Sequence, residues 1–438
     1  MIRSQIFYAA VTTAILTSIG SAWAGAFDAQ DAIILATTKA DHNRNVADLE
    51  RLVNVNSGTL NLKGVETVAQ MLRPEFEALG LTVRWIPMAE AGRAGHLVAE
   101  HKGAPDAPRI LMIAHLDTVF EMTSPFQTFE RKDDLAIGPG VNDIKGGDVV
   151  ILEALRALKA AGGLDRANVT VYLSGDEERI GKPRDLARRD LIALGKASDV
   201  ALDFENQGLE GGKPVVHTGR RSSLGWTLRV TGKSGHSAGV GKTGGYGAIY
   251  EAARIIDEFR RALPEPGLTY NVGLIVGGTT AIYNSGTADG GASGKTNVIA
   301  AEAVAVGDLR TLSNAQTESV EAKMRAIVAQ HLDKTDATLT FAEEGYPAMA
   351  PSERNLALAQ QLNAVNRDLG LPELGIGDPS TRGAGDIGFV GDFVPGLVGM
   401  GITGFGAHAV GETAILSSLD PQAARAAALI LRLSVGRP

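Results

Sequence analysis

The chain has 438 residues, a formal net charge of −8 and no cysteine. At 44% hydrophobic and 21% charged residues, its composition is that of an ordinary folded protein, which excludes a disordered chain and a polytopic membrane protein. The acidic balance argues against a nucleic-acid binder that neutralises phosphates. The missing cysteines exclude disulfides, thiolate ligands and a cysteine nucleophile, so any transition metal must be held by His, Asp and Glu.

The chain opens with Arg3, an apolar run over 6–19 and small residues at Ala22 and Ala24. That pattern reads as a secretory signal peptide over 1–24, with a periplasmic or secreted mature protein and no membrane span after cleavage. Apolar spacing then predicts helices over 46–53 and 65–79, the second followed by Gly80 where a C-cap belongs. Short β-branched runs at 81–86, 110–114 and 169–173 predict strands, with a helix over 147–161 between the last two. Alternating strands and helices imply an α/β domain with a mostly parallel sheet.

Around His217 the texture changes. Residues 226–230 read as a strand, 248–263 as a helix, 270–276 and 298–309 as strands, 317–331 as a helix and 337–341 as a strand. The order β-α-β-β-α-β is the ferredoxin-like plan. It predicts a separate domain over 218–345, inserted into an α/β domain made of 27–217 and 346–438. Past Gly345, a helix over 355–369, apolar strands over 396–402 and a helix over 421–433 return the chain to the first domain.

Five pieces carry chemistry. In ILMIAHLDTVF (110–120), His115 and Asp117 end a buried strand two residues apart, the end of a strand where open α/β sheets bind ligands. In GPGVNDIKGG (138–147) Asp143 sits in a rigid loop just before a helix, where taken alone it reads as an N-cap. VTVYLSGDEE (169–178) ends a second buried strand in Asp176, Glu177 and Glu178, which repel one another unless a cation compensates. VALDFEN (200–206) sets Asp203 and Glu205 on one strand face, and GFGAHAVGE (404–412) surrounds His408 with glycines. Each has a bland reading as a solvated strand end or a turn. Jointly, two histidines and several carboxylates can form two zinc-type sites bridged by one carboxylate, with a spare glutamate to take a proton from water.

On AHLDTV, GPGVNDIKGG, GDEE and GFGAH, the sequence resembles the dinuclear zinc exopeptidases and deacylases, a family that includes glutamate carboxypeptidase, aminoacylase and succinyl-diaminopimelate desuccinylase. It is most similar to the bacterial glutamate carboxypeptidases, from about Leu35 to the C-terminus. The resemblance implies a zinc-peptidase α/β domain interrupted by a ferredoxin-like lid that dimerises, and two Zn2+ per chain. By motif, His115, Asp143, Glu178, Glu205 and His408 would be metal ligands, with Asp143 bridging. Asp117 would orient His115, and Glu177 would be the general base. The resemblance leaves open whether Asp203 takes the place of Glu205. In VTGKSGHSAG (230–239), His236 matches a lid histidine that reaches a neighbouring subunit's site. Asn297 in GKTNVIAA and Arg310 in VGDLRT match residues that grip substrate.

The chain departs from the family pattern in three places. The run SAGVGKTGG after His236 has Lys242 and no proline, Ile144 stands where relatives often have an aspartate, and in STRGAGD Asp386 fits while Arg382 is displaced. These bear on specificity rather than on the metal site. The expected activity is hydrolysis of an amide to release a C-terminal amino acid such as glutamate. The alternatives are an N-acyl amino acid deacylase or dipeptidase on the same centre, and a catalytically decayed peptide- or metal-binding protein. Ser174 has no G-x-S-x-G elbow around it, so a serine hydrolase finds no support.

Overall fold

The computed structural model describes residues 27–343 and 345–435, so the expected signal segment lies outside the described residues. A six-stranded mixed sheet has the order Thr82–Pro87, Gly95–His101, Asn168–Ser174, Arg109–His115, Val200–Asp203 and Gly396–Val398. The last four strands are mutually parallel, and the first two form an antiparallel edge. The inner strands read as unbroken apolar runs because both faces are covered. On Arg109–His115, Ile110, Met112 and Ala114 face one core while Leu111 and Ile113 face another.

The first core is built by helices Asp28–Ala40, His42–Val53, Leu62–Leu79, Lys145–Ala160, Glu353–Asp368 and Leu419–Leu433. Helix Lys145–Ala160 is buried at every position from Lys145 to Leu158, so it lies inside the protein rather than on its surface. The second core is covered by helix Arg184–Ala197 and the short turn Asp386–Phe389. Among the described residues, no helix is long and apolar enough to cross a membrane.

A second sheet, in the order Thr269–Gly278, Glu302–Arg310, Leu224–Gly232 and Thr335–Phe341, is antiparallel throughout. Helices Ala248–Ala262 and Asn314–Val328 pack on it through Ile255, Phe259, Val320 and Met324. This is the β-α-β-β-α-β unit expected from the sequence, with an added exposed hairpin of Thr280–Asn284 and Asp289–Ser293. The chain enters and leaves the unit along two segments that pair with each other at Arg220 with Met349 and at Ser223 with Tyr346.

Among the elements that escape the sequence reading are Asp28–Ala40, Gly95–His101 and Arg184–Ala197, besides several short strands. The buried face of Arg184–Ala197 consists of Ala187, Arg188, Leu191 and Gly195, with Leu186, Ile192 and Leu194 packed beside it; a buried arginine and a glycine interrupt its apolar positions. The strand expected over 298–309 begins only at Glu302, and the strand expected over 396–402 ends at Val398.

Packing is tight where the Asp143 loop enters its helix. A Cβ on Gly147 would stand 2.2 Å from the Phe204 carbonyl oxygen, so glycine is what lets the helix start rest against the neighbouring strand end. Because backbone cannot give way cheaply, Gly147→Ala is expected to destabilise the protein by about 1–3 kcal/mol, read as a lower urea midpoint. An unchanged midpoint would refute this.

Candidate metal centre

The four parallel strands deliver their carboxyl ends to one side of the sheet, and the site stands there. His115 is the last residue of its strand, Glu177 and Glu178 follow Asn168–Ser174 by three and four positions, and Glu205 follows Val200–Asp203 by two. Asp143 enters from the loop before Lys145–Ala160, and His408 from the loop after Gly404–Phe405. Asp143 lies between the two histidines: His115 Nε2 is 3.1 Å from its Oδ1, and His408 Nε2 is 3.1 Å from its Oδ2. His408 Nε2 is also 3.2 Å from Glu178 Oε2, and His115 Nε2 is 3.9 Å from Glu205 and 4.0 Å from Glu177. Ligand atoms of His115, Asp143 and Glu178 lie within 4.8 Å of one another, and so do those of His115, Glu177 and Glu205. His408 has φ 67°, a left-handed conformation that costs a residue with a Cβ, and such strain collects at functional sites.

Buried side chains fix these groups. Asp117 accepts the Glu177 N–H at 3.0 Å, the Glu178 N–H at 3.1 Å and the Thr59 hydroxyl at 2.5 Å, with His115 Nδ1 3.4 Å from its Oδ1. It thus ties the imidazole to the acidic turn. Glu412 Oε1 accepts the N–H groups of Asn142 and Asp143 at 2.8 and 2.9 Å and holds the Asp143 loop. Arg220 Nη1 stands 3.2 Å from Glu205 and 3.4 Å from Asp203. Arg188, fully buried, donates to Asp176 at 2.5 Å and to Asp386 at 2.8 Å, and Asp386 also accepts the Ser174 hydroxyl at 2.5 Å.

A cavity of about 310 Å³ opens over this cluster, lined by Asp143, Glu177, Glu178, Glu205 and His408 and, from the second unit, by Arg310. Arg310 is anchored by Asp308 at 2.9 Å. Arg220, Arg382 and Tyr346 also line it; Arg382 donates to Asn206 Oδ1 at 2.7 Å. Asp203 is absent from the lining and turns to Arg220, while its Oδ1 accepts the Glu205 N–H at 3.2 Å. His236 and Asn297 are exposed and do not line this cavity; they stand side by side, with Asn297 O accepting the Ser237 N–H at 3.0 Å. A larger cleft of about 1100 Å³ at the other end of the sheet, between His101, Arg109 and Phe393, contains none of the metal-capable groups.

The sequence reading missed Thr59, Arg220, Tyr346 and Glu412. Arg220 and Tyr346 stand in connecting segments without periodicity. Glu412 closes the GFGAHAVGE run, and its fourth-residue spacing from His408 was the available signal.

The electrostatics favour a cation. Burial and then the Asp143 carboxylate push Glu178 up to about 7, burial pushes Glu177 well above the usual carboxylate range, and burial and then Glu205 push Asp203 up to about 7. Hydrogen bonds to Asp143 and Glu178 raise His408 to about 11. Glu178 Oε1 is buried without a hydrogen-bond partner among the described residues. Crowded carboxylates, imidazoles and one orphaned oxygen form a donor set that fits divalent metal.

A raised carboxylate penalises the metal-free fold fully above pH 7 and not below about 4.5. A raised histidine stabilises it fully below 6.5, a contribution lost as pH rises toward 11. Both signs agree between pH 8 and 6. The melting-temperature gap between metal-loaded and chelated protein is therefore expected to narrow from pH 8 to pH 6, as followed by calorimetry; a gap that widens would refute the assignment.

The model of peptidase family M20/M25/M40 matches residues 111–432. The chain is 27% identical over 419 residues to carboxypeptidase G2 of Pseudomonas sp. (strain RS-16), covering 93% of this chain and 94% of that one. It is 27% identical over 302 residues to succinyl-diaminopimelate desuccinylase of Bordetella avium (strain 197N), covering 68% and 75%. Its fold matches the crystal structure of a tripeptidase from Staphylococcus aureus subsp. aureus Mu50 with a TM-score of 0.67 at 19% identity, over 90% of this chain and 99% of that one. With the family match spanning most of both the sheet and the inserted unit, this chain belongs to peptidase family M20/M25/M40, and with it to the metallopeptidases.

Proposed function

We propose that this hydrolase cleaves an amide bond to release a C-terminal amino acid, with glutamate as the leading candidate, using two divalent cations, zinc by preference. The observation that carries the reading is Asp143, whose two oxygens each face one histidine at 3.1 Å beneath a cavity of about 310 Å³. In this reading His115, Asp143 and Glu205 hold one ion, and Asp143, Glu178 and His408 hold the other. Bound metal would supply Lewis-acid polarisation of the scissile carbonyl and acidification of water.

The chain's own groups do the rest. Glu177, half-buried beside His115, takes the proton from the attacking water and returns it to the leaving amine. Asp117 keeps His115 and the Glu177 turn in register. Arg310 offers a guanidinium to the substrate's free carboxylate. The alternative, an N-acyl amino acid deacylase or dipeptidase on the same centre, draws support from the likeness to a desuccinylase.

Glu177→Gln is expected to lower kcat by more than a hundredfold while zinc-loaded protein retains two ions per chain by elemental analysis. Loss of one ion would make Glu177 a ligand and overturn the assignment. Assays on folate-type glutamates, dipeptides and N-acyl amino acids decide the substrate side. Turnover confined to N-acyl amino acids would install the alternative.

His236 and Asn297 enter the reading as contributions to a second copy's site in a homodimer. Their exposure supports this, as do the edge strand Thr269–Gly278, whose outer side pairs with no strand among the described residues, with exposed Ile275, and the exposed Ile249 and Tyr250 on the adjoining helix. Mixing inactive His236→Ala with inactive Glu177→Gln chains should restore about a quarter to a half of wild-type activity in heterodimers. Absence of any recovery in proven heterodimers would remove the trans role.

A further inference from the structure

We propose that Tyr346 is a positioning residue for Glu177, through which the segments joining the two units set the direction of the general base. The proposal rests on the reading of Glu177 as that base. It starts from how the inserted unit is attached. The two joining segments hydrogen-bond to each other as a short antiparallel strap: Arg220 N–H to Met349 O at 2.9 Å, Met349 N–H to Arg220 O at 3.0 Å, Ser223 N–H to Tyr346 O at 3.0 Å and Tyr346 N–H to Ser223 O at 2.8 Å. Any motion of the unit relative to the sheet must pass through this strap.

Each strand of the strap sends one side chain into the site. Arg220 reaches Glu205 and Asp203. Tyr346 donates its hydroxyl to the main-chain carbonyl of Glu177. The opposite end of the same residue is also fixed, because its N–H is donated to Asp117 at 3.0 Å. The backbone of Glu177 is therefore pinned at both ends, by Asp117 from the sheet and by Tyr346 from the strap, and only the side-chain torsions of Glu177 remain free.

The surroundings of Tyr346 suit a fixed donor. Arg188 Nη2 donates to its hydroxyl at 3.4 Å, which directs the phenolic hydrogen toward the Glu177 carbonyl. The ring packs edge-on against Phe389, with centroids 5.5 Å apart. Burial raises the phenol well above its usual range, so it stays protonated across the working pH. A tyrosine needed only to fill space would not require the hydroxyl to find this carbonyl.

Tyr346→Phe keeps the ring and removes that one hydrogen bond. The expected result is a kcat lowered roughly fivefold or more, with KM and metal content within twofold of wild type. The decisive comparison is made in the Glu177→Gln background. There the residual rate should not respond to Tyr346→Phe, because the group being positioned no longer acts. Tyr346→Met removes the same hydroxyl and serves the comparison if the Phe variant does not accumulate.

An unchanged kcat in Tyr346→Phe overturns the proposal. So does an equal fold-loss in both backgrounds. Full turnover in Glu177→Gln alone would instead overturn the reading of Glu177 and is recognised separately.

Discussion

The structure is organised around the repulsion of carboxylates gathered in a low-dielectric place. Asp143, Glu177, Glu178, Asp203 and Glu205 stand buried or half-buried within one region, and bringing such groups out of water is costly unless opposite charge is near. His115 and His408 face Asp143, and Arg220 faces Asp203 and Glu205. These cations hold some of the acids in place. Glu178, with one oxygen unpartnered among the described residues, is left for something else to satisfy. The arrangement is stable enough to form and incomplete enough to bind.

Topology makes the crowding achievable. Residues 115, 143, 177, 205 and 408 are far apart in the chain, yet parallel strands all release their carboxyl ends on one side. A buried parallel sheet also supplies the rigidity that a first ligand shell needs, since each strand is held on two faces by separate cores. The second set of contacts then sharpens the placement. Asp117 and Glu412 use their carboxylates to hold main-chain N–H groups beside the functional residues, and that fixes loops which would otherwise be the least certain part of the fold.

Much of this was legible before any coordinates. The strands Arg109–His115 and Asn168–Ser174 announce themselves as mostly apolar, β-branched runs, and the acids and the histidine that end or follow them are conspicuous as the charged or titratable groups at their carboxyl ends. The order of elements in the inserted unit was legible as well, because its helices carry amphipathic stripes such as Ile255 and Phe259. What stayed hidden has physical reasons. Helix Arg184–Ala197 buries an arginine and a glycine beside Ala187 and Leu191 on its inner face, which interrupts its apolar period. Arg220 and Tyr346 act from connectors whose pairing is long-range, and no local pattern reports a partner more than a hundred positions away.

The placement of His236 and Arg310 separates what one chain accomplishes from what it leaves open. Both belong to the inserted unit, but Arg310 ends the strand that faces the sheet's cavity, whereas His236 sits in an exposed turn bridged to Val298. A rigid four-stranded sheet cannot bend one of these toward the cavity without carrying the other. If His236 acts in catalysis as proposed, either the whole unit swings on its strap or His236 serves a different cavity from its own. The strap is short and hydrogen-bonded at two bridges, and its side chains hold Glu205 through Arg220 and the Glu177 main chain through Tyr346, so a large swing would disturb the very groups it was meant to complete. On the proposed reading of His236, that cost weighs against a large swing and in favour of service to a neighbouring copy.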